Sequence, residues 1–257
     1  MAPLYGNSQD TCSLLFTISS KVRFATADHL SNIYLLSAEN AVEKYDSTGR
    51  LVTRYTNNRL GAAEWIDATN PLKILVWYAG FQTAVFLDRN LTELGRLNLS
   101  QAGYPAVRCL AAGADGNLWV YDEATSHVLK LSSAGEKLLE SQPLNLAFAR
   151  PFAPVCARDD GGQAVFFSDP AQGIAVFDPF AQLSYILPLT DVPAFEILRG
   201  RLIYIKHDIL HLEDTRSPAT RQMVLPNGAT QPEARHWVSK QRWLAAEPAQ
   251  LLVFSLR

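Results

Sequence analysis

One hairpin-rich unit recurs along the chain about every forty residues, and that period constrains the fold more than any other property. Its clearest copy is Gly113-Ala-Asp-Gly-Asn-Leu-Trp-Val-Tyr-Asp122, continuing through His127-Val-Leu-Lys-Leu131 to Gly135-Glu-Lys-Leu-Leu139. It reads as a strand, a tight Asp-Gly-Asn turn, a second strand, a short loop, a third strand, a turn at Gly135 and a fourth strand. Asp-Gly supplies the positive φ angles that such hairpins need. No segment keeps a helical apolar period beyond about ten residues.

The copies align on the residue before the second strand: Asn32, Lys73, Asn117, Gln163, Arg201 and Arg242, which lie 41, 44, 46, 38 and 41 residues apart. Four short strands repeated at this interval are the signature of a propeller blade. The expected fold is all-β: a six-bladed β-propeller with four antiparallel strands per blade, and blades near 22–56, 63–99, 106–142, 153–188, 194–226 and 234–257. The sixth copy stops after its third strand, while the strand-like run Ser13-Leu-Leu-Phe-Thr-Ile18 is left over before the first. This segment, 13–19, is expected to close the ring as the outer strand of the last blade, hiding an otherwise unpaired edge. With no linker or low-complexity stretch, residues 1–257 are expected to form a single domain. Trp119 and its counterparts Tyr34, Leu75, Val165, Ile203 and Leu244 are expected to face the layers between blades.

Ala114–Asp122, Asp28…Asn32-Ile-Tyr34 and Lys44-Tyr-Asp46-Ser-Thr-Gly49 resemble the repeat of the NHL-type six-bladed propellers. That repeat has an Asp-x-x-Gly-Asn-hydrophobic-Tyr/Trp hairpin, then a hydrophobic-x-Lys-hydrophobic-Asp strand and turn. Blades one and three match well, two and four in part, five and six poorly. The resemblance implies the fold and leaves function open. NHL-type and related propellers include protein-binding and RNA-binding modules, lyases and metal-dependent lactonases of the gluconolactonase type. Many bacterial members are exported, so a periplasmic or cell-envelope location is expected, with the cytoplasm as the alternative.

Composition narrows the classes. Apolar residues make up 48% and charged residues 19% of the chain, which is ample for a core and unlike a disordered segment. A net charge of −2 argues against nucleic-acid binding by bulk electrostatics. No apolar run reaches the roughly 18 residues needed to span a bilayer. Met1–Gly6 is too short for a whole signal peptide and reads at most as the stub of one. Cys12, Cys109 and Cys156 are too few and odd in number for a disulfide framework, and read as mostly buried free thiols.

Catalytic signatures are sparse. Glu64, Asp67 and Asp191 cannot be matched to the ligand set of the lactonase-like propellers, so no metal and no cofactor are expected. His207-Asp-Ile-Leu-His211 falls across a hairpin and strand, where four residues span about 13 Å, too far for two imidazoles to share one metal. The chain has no Gly-x-Ser-x-Gly elbow and no phosphate-cradling loop.

The recurring feature with functional meaning is Val22-Arg23-Phe24 against Val107-Arg108-Cys109. Each arginine sits where the chain enters an innermost strand. That entry lies on the face built by the outer-to-inner connections and the loops between second and third strands. The connections also hold Trp65, Tyr104, Phe148, Phe152 and Trp237, and the loops add Tyr78 and Phe81. Arginine among aromatics is the composition of interface hot spots; the competing reading is that these aromatics plug the wedges between blades. The expected function is a non-enzymatic binding or scaffold module. It would present Arg23, Arg108, Trp65, Tyr78, Phe81, Tyr104, Phe148 and Phe152 to a protein or peptide partner, as a monomer or within a hetero-complex. The alternative is a channel-mouth enzyme, a lactonase-like hydrolase or a lyase.

Overall fold

The structure, a computed structural model, describes residues 12–198, 200–207, 209–214, 220–225 and 234–256. The leading strand β1 (Cys12–Ile18) precedes blade 1, which holds β2 (Val22–Ala27), β3 (Ile33–Ser37), β4 (Ala41–Tyr45) and β5 (Leu51–Thr56). Blade 2 holds β6 (Trp65–Asp67), β7 (Ile74–Tyr78), β8 (Thr83–Leu87) and β9 (Glu93–Asn98). Blade 3 holds β10 (Val107–Ala112), β11 (Leu118–Asp122), β12 (His127–Leu131) and β13 (Lys137–Glu140). Blade 4 holds β14 (Cys156–Asp159), β15 (Val165–Asp169), β16 (Gly173–Phe177) and β17 (Leu183–Leu187). Blade 5 holds β18 (Glu196–Leu198), β19 (Arg201–Lys206), β20 (Ile209–Asp214) and β21 (Thr220–Val224). Blade 6 holds β22 (Arg235–Ser239), β23 (Arg242–Ala246) and β24 (Leu251–Leu256), and its fourth strand is β1.

Every blade is an antiparallel meander, as its repeat predicts. The first strands meet around the axis: β2 touches β6 and β22, and β10 and β18 both touch β14. Second strands such as β3, β7 and β15 are buried at every residue. They pack against a neighbouring blade on both faces, which explains their unbroken apolar runs. The outer strand β5 has mostly exposed side chains. The core is therefore split into wedges, one between each pair of blades: blades 1 and 2 around Tyr34 and Val76, blades 3 and 4 around Trp119 and Phe167, blades 6 and 1 around Leu35 and Leu244.

Ring closure follows the sequence expectation. β1 pairs with β24 from Cys12 opposite Leu256 to Ile18 opposite Leu251, with a bulge at Leu15. Ser13 and Ser255 join their hydroxyls at 2.8 Å. The neighbouring blade is shaped to receive this strand. Gly49, in the β4–β5 turn, has φ +85°, and a Cβ there would come within 2.5 Å of the Phe16 ring. Glycine is required both by the left-handed backbone and by the close approach.

One register differs from expectation. Tyr34, Leu75, Trp119, Ile203 and Leu244 all point toward the following blade, but Val165 packs back against blade 3 and Phe166 takes the forward slot. The Asp159-Asp-Gly-Gly162 turn is closed by Asp160 N–H to Ala164 O, so Ala164 and not Gln163 precedes the second strand. A one-residue shift turns every side chain of a strand to its other face. His207, with φ +51°, lies at the β19–β20 turn, while His211 lies within β20, stacked on Tyr204 at 4.7 Å.

Candidate functional site

The two arginines recur for a structural reason. In blade 1 the β2–β3 ladder skips Arg23, pairing Val22 with Ser37 and Phe24 with Leu36. In blade 3 the β10–β11 ladder skips Arg108, pairing Val107 with Asp122 and Cys109 with Tyr121. Both are β-bulges at the entry to an innermost strand, and a bulge re-aims the side chain it carries. The consequences differ. Arg23 bends over its own blade, donating from Nε to Ser37 O (3.1 Å) and from Nη2 to Asn40 Oδ1 (2.9 Å). Arg108 is exposed and pairs with Glu123 at 3.1 Å.

Between these entries the axis opens into a cavity of about 380 Å³. Blade 2 contributes Trp65 and Trp77, which face one another across the β6–β7 ladder. Blade 1 contributes Phe24, set edge-on to Trp237 of blade 6 with ring centres 5.7 Å apart. Blade 3 brings Arg108 and Cys109, blade 4 Cys156 and Arg158, and blade 6 Arg235. Glu64 is the acidic residue on the wall. The mouth is thus aromatic and positively charged on a chain whose net charge is −2.

Arg235 is held by backbone, donating to Val22 O (2.9 Å) and Arg23 O (3.2 Å). These bonds tie blade 6 to the blade 1 bulge and leave the positive charge facing the mouth. Arg158 lies deeper, 8% exposed, with its guanidinium carbon 5.1 Å from the Trp65 ring centre. Beneath it the channel is filled by buried polar groups. Thr26 Oγ1 and Ser239 Oγ are 3.1 Å apart, and Ser239 Oγ is 3.4 Å from Glu196 Oε2. Glu196 stands 3.9 Å from Arg158 Nε and 3.7 Å from Lys240 Nζ. Asp67 accepts the N–H of Ala112 at 3.2 Å and of Thr69 at 2.8 Å. Thr26, Asp67, Glu196 and Ser239 are each 5% exposed or less, so no solvent-filled channel runs past them.

Burial pushes the Cys109 thiol well above its ordinary range and raises that of Cys156. Both are neutral thiols at physiological pH, so they line the wall as small apolar groups rather than as thiolates. Trp243 Nε1 donates to His236 Nδ1 at 3.1 Å, which leaves the proton of a neutral His236 on Nε2. The chemistry on offer is recognition of an anion with an apolar body.

Of the residues expected on this face, Trp65, Trp237 and Arg108 line the cavity. Phe81 is 52% exposed on the β7–β8 loop, its ring 3.3 Å from the Cβ position of Gly61. Tyr104 is half-buried against the wedge between blades 2 and 3. Phe148 is half-buried and stacked on Phe152 at 4.4 Å. Tyr78 and Phe152 are fully buried, in the wedges between blades 1 and 2 and between blades 3 and 4. These two fill the core because a second-to-third-strand loop and an outer-to-inner connection each start or end within the wedge. Arg158, Arg235, Phe24 and Trp77 were not singled out from the sequence. The one local signal was Cys156-Ala-Arg158, an arginine two residues on from an inward-facing cysteine.

The opposite face has a cleft of about 320 Å³ between blades 3 and 4, lined by Asp115, Trp119, Lys130 and Asp159. Its charges are already matched: Lys130 pairs with Asp115 at 2.7 Å, and Trp119 Nε1 donates to Asp159 Oδ2 at 3.2 Å. Among the described residues, no group of three or more His, Cys, Asp or Glu is placed to hold a metal ion. Among the described residues, no helix is long and apolar enough to cross a membrane.

No family model matches the chain, and no curated protein matches it. Solved structures do. The chain is similar to a streptogramin B lyase, with a TM-score of 0.63 at 12% identity, over 96% of this chain and 98% of that one. It is similar to a chain of the mitotic checkpoint complex, with a TM-score of 0.68 at 9% identity, over 100% and 98%. It is also similar to a chain in the complex of BBS1N with ARL6DN, with a TM-score of 0.61 at 11% identity, over 96% and 97%. At these identities the likeness is one of fold: the chain is a six-bladed β-propeller.

Proposed function

We propose that this propeller is a non-enzymatic binding module whose channel-mouth face receives an acidic segment of a protein or peptide partner. The observation that carries the reading is the cavity in which Arg108, Arg158 and Arg235 stand among Phe24, Trp65 and Trp237. Aromatic and arginine side chains around a desolvated pocket are what binding hot spots are made of. Propellers of similar fold occur in protein complexes. The other reading, a channel-mouth hydrolase or lyase, has fold likeness to a lyase in its favour and nothing further.

A photo-crosslinking side chain in place of Phe81 tests the face, with the same group in place of Asp88 on the opposite face as control. Adducts are expected at position 81. Arg23→Glu combined with Arg108→Glu should weaken capture by about tenfold or more. The two exposed or half-buried arginines should cost about 1 kcal/mol of stability or less. Adducts that form at position 88 instead, or that survive the double reversal, would move binding off this face.

A further inference from the structure

We propose that Arg158 is the receptor for a chain-terminal carboxylate, so that the cavity takes the C-terminus of a partner peptide ending in an apolar or aromatic residue. The inference rests on the binding reading above and specifies which group is read.

Arg158 is short of partners for a buried guanidinium. A guanidinium carries five N–H donors in a planar fork. Here Nη1 donates to Ala157 O at 2.9 Å, and the carboxylate of Glu196 comes no nearer than 3.9 Å to Nε, beyond hydrogen-bond length. Glu196 is itself divided, accepting the N–H of Ile197 at 3.1 Å and lying beside Ser239 and Lys240. The rest of the Arg158 fork borders the cavity. A buried charge left incompletely paired is costly, and a carboxylate docking side-on supplies two parallel charge-assisted bonds.

The occupant is a chain end because of shape. Thr26, Ser239 and Glu196 close the floor, each almost fully buried, so a peptide cannot thread through. A volume of about 380 Å³ lies at the low end of small-ligand sites, roughly 300–1,000 Å³. Above Arg158 the walls are Trp65, Phe24 and Trp237, which suit an apolar side chain. At the rim Arg235 and Arg108 face the preceding residues, matching the acidic segment proposed above.

The test uses the full chain and its own tryptophan fluorescence, since Trp65, Trp77 and Trp237 all line the cavity. Three N-acetylated probes are titrated: tetraglycyl-phenylalanine with a free carboxyl terminus, the same peptide amidated, and an amidated peptide with glutamate before the phenylalanine. The free acid is expected to bind, and the two amides to bind at least about tenfold more weakly, a difference of one charge-assisted contact pair. Arg158→Lys, which keeps the charge and loses the fork, should weaken the free acid by at least about tenfold as well. The acid-to-amide ratio in the unaltered protein needs no variant, so the result stands even if Arg158→Lys fails to fold. Equal binding of acid and amide, or no binding of either, overturns the proposal. So does N-acetyl-phenylalanine binding as tightly as the pentapeptide, which would make the occupant a small free acid. If the crosslinks at position 81 and their loss on arginine reversal persist in any of these cases, the face still binds and only the carboxylate reading has failed.

Discussion

The two faces of the propeller are held together by different means. On the face of the β2–β3 and β4–β5 hairpins, the turns are closed from within. One oxygen of Asp28 accepts the N–H groups of Leu30 and Asn32, both at 2.9 Å. Asp46 does the same for Thr48 and Arg50, Asp88 for Asn90 and Thr92, and Asp178 for Phe180 and Gln182, all between 2.8 and 3.0 Å. These are Asx turns, each complete within five residues. On the channel-mouth face, loop side chains reach to the next blade. Asn40 accepts the N–H of Ala63 at 2.9 Å. Gln82 both donates to Val107 O (3.0 Å) and accepts Val107 N–H (2.8 Å), and Gln172 ties back to the connection from blade 3, donating to Pro151 O (3.0 Å). The hairpin face has cross-blade bonds as well, from Lys44 Nζ to Arg89 O (2.7 Å) and from Lys73 Nζ to Gly116 O (3.1 Å), but its turns close locally, whereas the cavity draws its walls from several blades and is a property of the ring.

Four experiments press on that difference. Deletion of residues 1–20 should have the largest effect. It strips the outer strand from β24 and should abolish cooperative unfolding and solubility, losing the channel-mouth face while isolated hairpin turns survive. An unchanged melting temperature would mean that closure by β1 contributes nothing. Next, Trp119→Ala removes a side chain buried between blades 3 and 4, and should cost about 3–5 kcal/mol in denaturant unfolding. A loss below about 1 kcal/mol would contradict the wedge that supports both faces.

Third, Gly49→Ala and Gly116→Ala separate a hairpin turn that touches another blade from one that does not. Both glycines have positive φ, +85° and +82°, but a Cβ at Gly116 meets nothing within 4 Å. Gly49→Ala should cost about 1–3 kcal/mol and clearly exceed Gly116→Ala, which carries backbone strain alone. Equal costs would place the Phe16 contact in doubt.

The smallest effect concerns acid. Asp169 closes the β15–β16 loop on the channel-mouth side. Burial works to raise its carboxyl, but the N–H of Ala153, the Gln172 amide and the N–H groups of Ala171 and Gln172 outweigh burial and hold it below the usual range. A carboxyl lowered in the folded state stabilises above its unfolded value, near pH 4, and that contribution is lost as pH falls through the folded value. Asp169→Asn should therefore flatten the stability profile below about pH 4, leaving its shape above pH 5 unchanged. An unaltered acid limb would show that the carboxylate is not what holds this loop.

The fold was legible because its signals are local and repeated: Asp-Gly turns, apolar runs and a leftover strand at 13–18. The slip at Val165 came from a turn with two glycines, where spacing alone does not say which residue starts the strand. The site was legible in part. Arg23 and Arg108 stood out as a repeat, although the bulge that re-aims each of them leaves no mark of its own in the residues. Arg158 and Arg235 were missed because their partners belong to other blades: Glu196 is 38 residues from Arg158, and the carbonyl of Val22 is 213 residues from Arg235. Tyr78 and Phe152 looked like surface aromatics because a strand end and a loop are indistinguishable where the wedge reaches the face.

The pairing of β1 with β24 also sets a schedule for synthesis. Ser13 and its partner Ser255 are separated by 242 positions. At roughly 5–20 residues per second, the leading strand waits about 12–48 s on the ribosome before its partner exists. During that interval Leu14 and Leu15, still well exposed in the finished ring, travel on an unpaired strand of the nascent chain. Five blades can assemble behind it, but the last cannot be completed until the final residues of β24 emerge. A chain whose translation stops early therefore carries both an orphan strand and an open sheet edge, which makes it an evident client for chaperones and proteases.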